Sequence, residues 1–165
     1  MWTLMLLLMA CRGDGTPDSA DTVDIPAGAW EDAVPTGETI SGGFTAELGS
    51  AWPGAGWFES PGAAGVDLSR ASIHSVEGAR WPVVQVQLLG HTQSGWNVVE
   101  IDAALSHWLA GEVPLDGSAA VGILTRADGS TAYLLGGSLM LAEAGVEDGQ
   151  RVSGHFTDVT LAAVP

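Results

Sequence analysis

The side chains able to do chemistry are few and scattered. Cys11 is the one thiol in 165 residues, and a thiolate is a nucleophile that can accept an alkyl or acyl group. With a single cysteine no intrachain disulfide forms, so the folded part must hold together by packing. The imidazoles are His74, His91, His107 and His155. None is spaced i+2 or i+4 from another and no His-Glu-x-x-His occurs, so the spacing supplies no zinc site. No Gly-x-Ser-x-Gly elbow is present: Gly136-Gly137-Ser138-Leu139 lacks the closing glycine and lies in a strand-like pattern. Lysine is absent, so no phosphate-cradling loop can end in Lys-Ser/Thr. Glu31-Asp32 and Glu147-Asp148 are sequence neighbours, not the opposed carboxylates of a glycosidase. Asp14, Asp18, Asp21 and Asp24 would attract calcium by charge but lack the loop glycine and bidentate Glu; Asp128, and Asp148 with Glu147, are the other carboxylates at turns. The chain is therefore read as non-enzymatic, with no catalytic residue, metal or cofactor assigned; an envelope hydrolase with a site outside known motifs is the alternative.

One stretch invites a binding role. Ala51-Trp52-Pro53-Gly54-Ala55-Gly56-Trp57-Phe58-Glu59 places three aromatics and a carboxylate in a Gly/Pro-rich setting that reads as a loop. Exposed Trp52, Trp57 and Phe58 beside Glu59 would stack on sugar rings. The competing and preferred reading is that Trp57 and Phe58 plug one end of the core, as loop aromatics usually do.

The N-terminus has a different character. Trp2 to Ala10 is almost wholly apolar. Nine helical residues reach only about 14 Å, short of a hydrocarbon core of about 30 Å, but the length suits the apolar part of a secretory signal. The segment Leu8-Met9-Ala10-Cys11 resembles a bacterial lipobox, with Leu three positions before Cys and a small residue directly before it. The resemblance implies cleavage between Ala10 and Cys11 and a diacylglyceryl group on the Cys11 sulfur. It also implies acylation, palmitate included, of the new N-terminus. The protein would then be held to a membrane by lipid, two or more chains being needed for stable anchoring. Met1-Trp2-Thr3 departs from the pattern in carrying no Lys or Arg. Arg12, not Asp, follows the cysteine, which by resemblance to sorting in Gram-negative bacteria points to the outer membrane.

Composition limits the partners. The formal net charge is -15, with 20 acidic and five basic residues, which opposes binding to nucleic acid through a basic surface. A glycan or a protein remains as partner. Residues 1–10 read as signal peptide. Residues 11–37 mix Asp, Pro, Gly, Ser and Thr without sustained periodicity and read as a flexible acidic linker.

From residue 38 to residue 165 short apolar runs alternate with turn signals, which predicts an all-β domain. The expected form is an antiparallel β-sandwich or flattened barrel of about seven to nine short strands. Val84, Val86 and Leu88 alternate with Gln85 and Gln87; Val99, Ile101 and Ala103 share one side of the next run. Asp128-Gly129 marks the best hairpin turn. A second is expected at 145–150, and 114–119 is expected to join another pair of strands. Residues 67–78 read as strand or irregular in preference to helix, and 100–111 as ending in a helical turn closed by Gly111. Ile40-Ser41-Gly42-Gly43-Phe44-Thr45 is echoed by Val152-Ser153-Gly154-His155-Phe156-Thr157. The echo predicts first and last strands side by side near a sheet edge, with Gly42 and Gly154 leaving room for a large ring.

The C-terminal residues Gly137-Ser138-Leu139-Met140-Leu141 and Gly149 to Phe156 resemble the closing hairpin of a group of uncharacterised bacterial lipoproteins with β-sandwich-like domains. Trp108 to Gly117 is similar to the turn ahead of that hairpin. The resemblance covers about a third of the chain. It implies a lipid-anchored envelope protein and brings no activity with it.

Overall fold

The alternation of apolar and polar residues is realised as strands whose two faces differ sharply in burial. The structure, a computed structural model, describes residues 33–50, 54–59, 68–74 and 82–163. Cys11 and its neighbours, and Trp52, lie outside them. In chain order the strands are β1 (Val34–Glu47), β2 (Ala55–Glu59), β3 (Leu68–His74), β4 (Val83–Thr92), β5 (Gly95–Ala104), β6 (Gly111–Pro114), β7 (Ala120–Thr125), β8 (Thr131–Leu135), β9 (Ser138–Ala144) and β10 (Arg151–Ala163). On β4 the side chains of Val84, Val86 and Leu88 are buried while Gln85 and Gln87 on the other face are not. Val99, Ile101 and Ala103 of β5 join the same core.

The fold is all-β, antiparallel and sandwich-like. The strands follow one path, β2-β1-β10-β8-β7-β5-β4-β3, with β9 also on β10 and β6 on β9. β10 is the branch point. Val152–Phe156 pairs with β9 and Thr160–Ala163 with β8. Between the two ladders Asp158 adopts a left-handed φ of 50°, and its N–H donates to Ser41 Oγ at 2.8 Å. Such a bulge bends a strand, which lets one strand serve two ladders. The two ends of the path approach without a continuous ladder, through bridges at Leu48–Ala71 and Gly54–Ser69. The buried Ser69 hydroxyl lies 2.9 Å from the Thr45 carbonyl oxygen and 2.8 Å from that of Ala55, so its one hydrogen is shared between the two acceptors. The sheet is thus curled but not closed into a barrel.

Ten strands exceed the expected seven to nine because β2 and β6 carry little strand signal in the sequence. β1 begins at Val34, inside the segment read as linker. Gly54–Glu59, read as loop, is strand or bridge throughout. The glycines there serve close approach, not flexibility: a Cβ on Gly54 would collide with the Thr45 carbonyl, and one on Gly56 would stand 3.0 Å from Leu88 Cδ2. Residues 68–74 are strand, in keeping with the reading of 67–78. After β5 the chain makes one 3-10 turn, Leu105–His107, capped at Trp108. Gly111, with φ of 124°, instead starts β6.

The hairpin at 126–131 forms as expected, with the Arg126 N–H donating to Ser130 O at 2.8 Å and Gly129 at φ 84°. The turn at 145–150 joins β9 to β10, which pair. The turn at 114–119 joins two strands as expected, β6 and β7; these lie in different ladders, so the connection is a crossover and not a hairpin.

β1 and β10 are neighbours, as the echo predicts. Their two phrases pair antiparallel, so Gly42 faces Phe156 and Phe44 faces Gly154. Each glycine receives the phenylalanine of the other copy: a Cβ on Gly42 would lie 2.5 Å from Phe156 Cζ, and one on Gly154 would lie 3.3 Å from Phe44 Cζ. The rings filling these spaces are phenylalanines; the tryptophan sits instead over Gly43.

Candidate functional site

β2 presents alternate residues to opposite sides, and this separates the sequence-predicted binding residues. Phe58 points inward and is 1% exposed; it packs in the core and cannot meet a ligand. Trp57 points outward and is 47% exposed. Glu59 is exposed on the same face as Trp57, opposite Ser41 of β1. Trp52 lies outside the described residues. Of the three that are described, the structure therefore brings Trp57 alone to a concave surface.

That surface is a shallow groove of about 300 Å³ across β2, β1 and β10. Trp57, Gly43 and His155 form one register row, since Gly43 pairs with Trp57 on one side and His155 on the other. The next row holds Ala55, Thr45 and Ser153. Trp57 Nε1 would lie 2.7 Å from a Cβ on Gly43, so the indole sits over this glycine and any side chain there would displace it. The groove is thus floored by backbone at Gly43 and flanked by an aromatic ring and an exposed imidazole. Beside it, the Ser153 hydroxyl donates to Glu143 Oε2 at 2.9 Å, and Arg151 lies 3.5 Å from the same oxygen. Sequence reasoning missed Gly43, Thr45, Ala55 and His155. The signal that could have found them is the echoed phrase, because pairing the two copies puts Gly43 beside His155.

The other chemistry-bearing residues lie elsewhere. His74 is on β3, His91 on β4 and His107 in the 3-10 turn. His91 meets the exposed Trp96 edge-on, centroids 5.1 Å apart, at the β4–β5 hairpin. Among the described residues no three His, Cys, Asp or Glu side chains are grouped to hold a metal. Asp128 is committed to its own turn, accepting the Ser130 N–H at 2.8 Å. Its hydrogen bonds from Ser130 hold it below the usual carboxylate range. Glu147 Oε2 likewise accepts from Gln150 Nε2 at 3.3 Å.

On the outer face of β4 and β5, Gln85 Nε2 donates to Asp102 Oδ1 at 2.9 Å and Gln87 Nε2 to Glu100 Oε2 at 2.7 Å. Burial raises the Asp102 carboxyl above its ordinary value of 3.8; the Gln85 hydrogen bond opposes this, Glu100 adds to it, and His74 opposes it again. An acid with a raised folded pKa binds more protons folded than unfolded. It therefore costs stability as pH rises through the window above 3.8. Asp102→Asn keeps an acceptor for Gln85 and removes the charge. Its thermal midpoint is expected to exceed that of the unmodified protein at about pH 7 and to equal it at about pH 3; a calorimetric scan at both values checks this.

The fold and groove together define the class: an all-β domain with an open, amphiphilic groove on one sheet face. Compared with protein-family models, curated proteins and solved structures, the chain has no significant match.

Proposed function

We propose that the chain is a lipid-anchored protein of the bacterial envelope whose β domain acts by binding. The observation that carries the anchor is the lone thiol in Leu8-Met9-Ala10-Cys11, directly behind an apolar run. The chemistry needs a cysteine thiol and a small residue at the cleaved bond, and the sequence has both in Cys11 and Ala10. The acidic, Pro- and Gly-bearing stretch after Cys11 would hold the domain away from the lipid surface. The groove at Trp57 supports the binding role: it joins one aromatic surface to a few polar groups, the composition typical of ligand sites. With Arg12 after the cysteine, the outer membrane is the proposed address.

The test is the intact mass of the full chain recovered from membranes of a Gram-negative host, with Cys11→Ser alongside. The expected mass lacks residues 1–10 and carries a diacylglyceryl group with further acylation. The protein partitions into detergent, and Cys11→Ser stays unprocessed, unlipidated and in the aqueous phase. Identical mass and partitioning for the two proteins overturns the proposal.

A further inference from the structure

We infer that the groove over Gly43 binds one ring of a neutral, β-linked gluco-configured oligosaccharide, stacked on Trp57 and hydrogen-bonded from the β1 and β10 side. This names the ligand of the binding domain proposed above, and it does not depend on the lipid. Three observations carry it.

The first is the ring. Trp57 leaves about half of its surface in water although it is held in one place by the strand and by its seat over Gly43. A pyranose whose hydroxyls are all equatorial has a flat face of C–H groups, and an indole is the side chain best able to cover such a face while its N–H remains polar. The second is the polar complement. The Thr45 hydroxyl and the His155 ring border the groove. The Ser153–Glu143 pair follows in the adjoining row. Hydroxyl and imidazole groups can each donate and accept, which suits sugar hydroxyls that do both.

The third is charge and shape. A net charge of -15 disfavours uronic acids, sulfated sugars and other polyanions by long-range repulsion. A groove of about 300 Å³ holds a single ring and, being open to solvent, lets a chain continue at either side. An open groove with one stacking side chain binds weakly, in the millimolar range.

The experiment is saturation-transfer NMR on the full chain in detergent micelles, with cellotetraose and chitotetraose as probes and spermidine as a cationic competitor. The intact mass of the same sample reads the anchor separately. The expected result is binding of at least one tetrasaccharide, with transfer strongest to ring protons of one face. Trp57→Ala is expected to weaken it by about tenfold or more. Because Trp57 also covers Gly43, a second variant is needed: Ala55→Arg fills the groove from an exposed position and is expected to weaken binding equally while the fold persists. Trp96→Ala, at the β4–β5 hairpin and outside the groove lining, is expected to leave binding unchanged. The inference is overturned if neither sugar binds, if binding survives both groove variants, or if spermidine occupies the groove in place of sugar. Sugar binding by an unlipidated protein would sink the anchor alone, and a lipidated protein that ignores both sugars would sink this inference alone.

Discussion

Trp108→Ala is expected to destabilise the domain by about 3–5 kcal/mol. Trp108 has no exposed surface and leads the fully buried side chains by volume. It follows the 3-10 turn after β5, and its Nε1 donates to the Gly145 carbonyl at 3.1 Å. Gly145 belongs to the turn between β9 and β10, so this one residue fastens the β5–β6 connection to the opposite hairpin. Truncation removes the ring, leaves a cavity in a core that no disulfide supports, and strands a buried carbonyl at a further cost of about 1–3 kcal/mol. Small domains are stable by about 5–15 kcal/mol in total, so the variant is expected to be largely unfolded at modest urea concentration. Trp108→Phe keeps much of the volume but loses the donor, and should fall between the two. Equilibrium urea unfolding followed by far-ultraviolet circular dichroism measures all three. A loss below about 1 kcal/mol for the alanine variant contradicts the assigned role.

The second large effect concerns the paired phrases. Phe156→Ala is expected to cost about 3–5 kcal/mol, because a fully buried ring is removed from the β1–β10 ladder. Gly42→Ala is expected to cost about 1–3 kcal/mol by overpacking, although alanine ordinarily suits a strand better than glycine. Its Cβ would meet Phe156 Cζ at 2.5 Å and the Trp57 carbonyl oxygen at 2.9 Å. The ring can be removed and the carbonyl cannot, so the double variant should be less destabilised than the sum of the singles, with an interaction of about 0.5 kcal/mol or more. Strict additivity in a double-mutant cycle would show that the ring and the glycine are not energetically coupled.

Much of the strand content is legible without a structure. Residues at β4 and β5 alternate cleanly because one face of each strand is buried and the other is wet, and a period of two is a local property of the backbone. Turns such as Asp128-Gly129 are legible for the same reason: the φ they require is set within a few residues. β2 was not legible. The glycines and proline of Pro53-Gly54-Ala55-Gly56 carry the signature of a loop, yet Gly54 and Gly56 let the Thr45 carbonyl and the Leu88 side chain come close, a cause that lies on other strands and not in the neighbouring residues. The aromatic stretch divides between the two readings for a related reason. Trp57 and Phe58 are adjacent in sequence, but a strand sends adjacent residues to opposite faces, so one enters the core and the other the groove.

By itself the amino-acid order determined the all-β class, the placement of most strands and tight turns, the strongly acidic charge balance and the lipobox-like setting of Cys11. Each of these is written in composition or in neighbours a few residues apart. Only the tertiary structure decided the order of strands, the branching at β10 and the union of Trp57, Gly43 and His155 in one groove. Those depend on which strands pair, and pairing is chosen by burial and fit summed over the whole core, a quantity no short stretch of sequence contains.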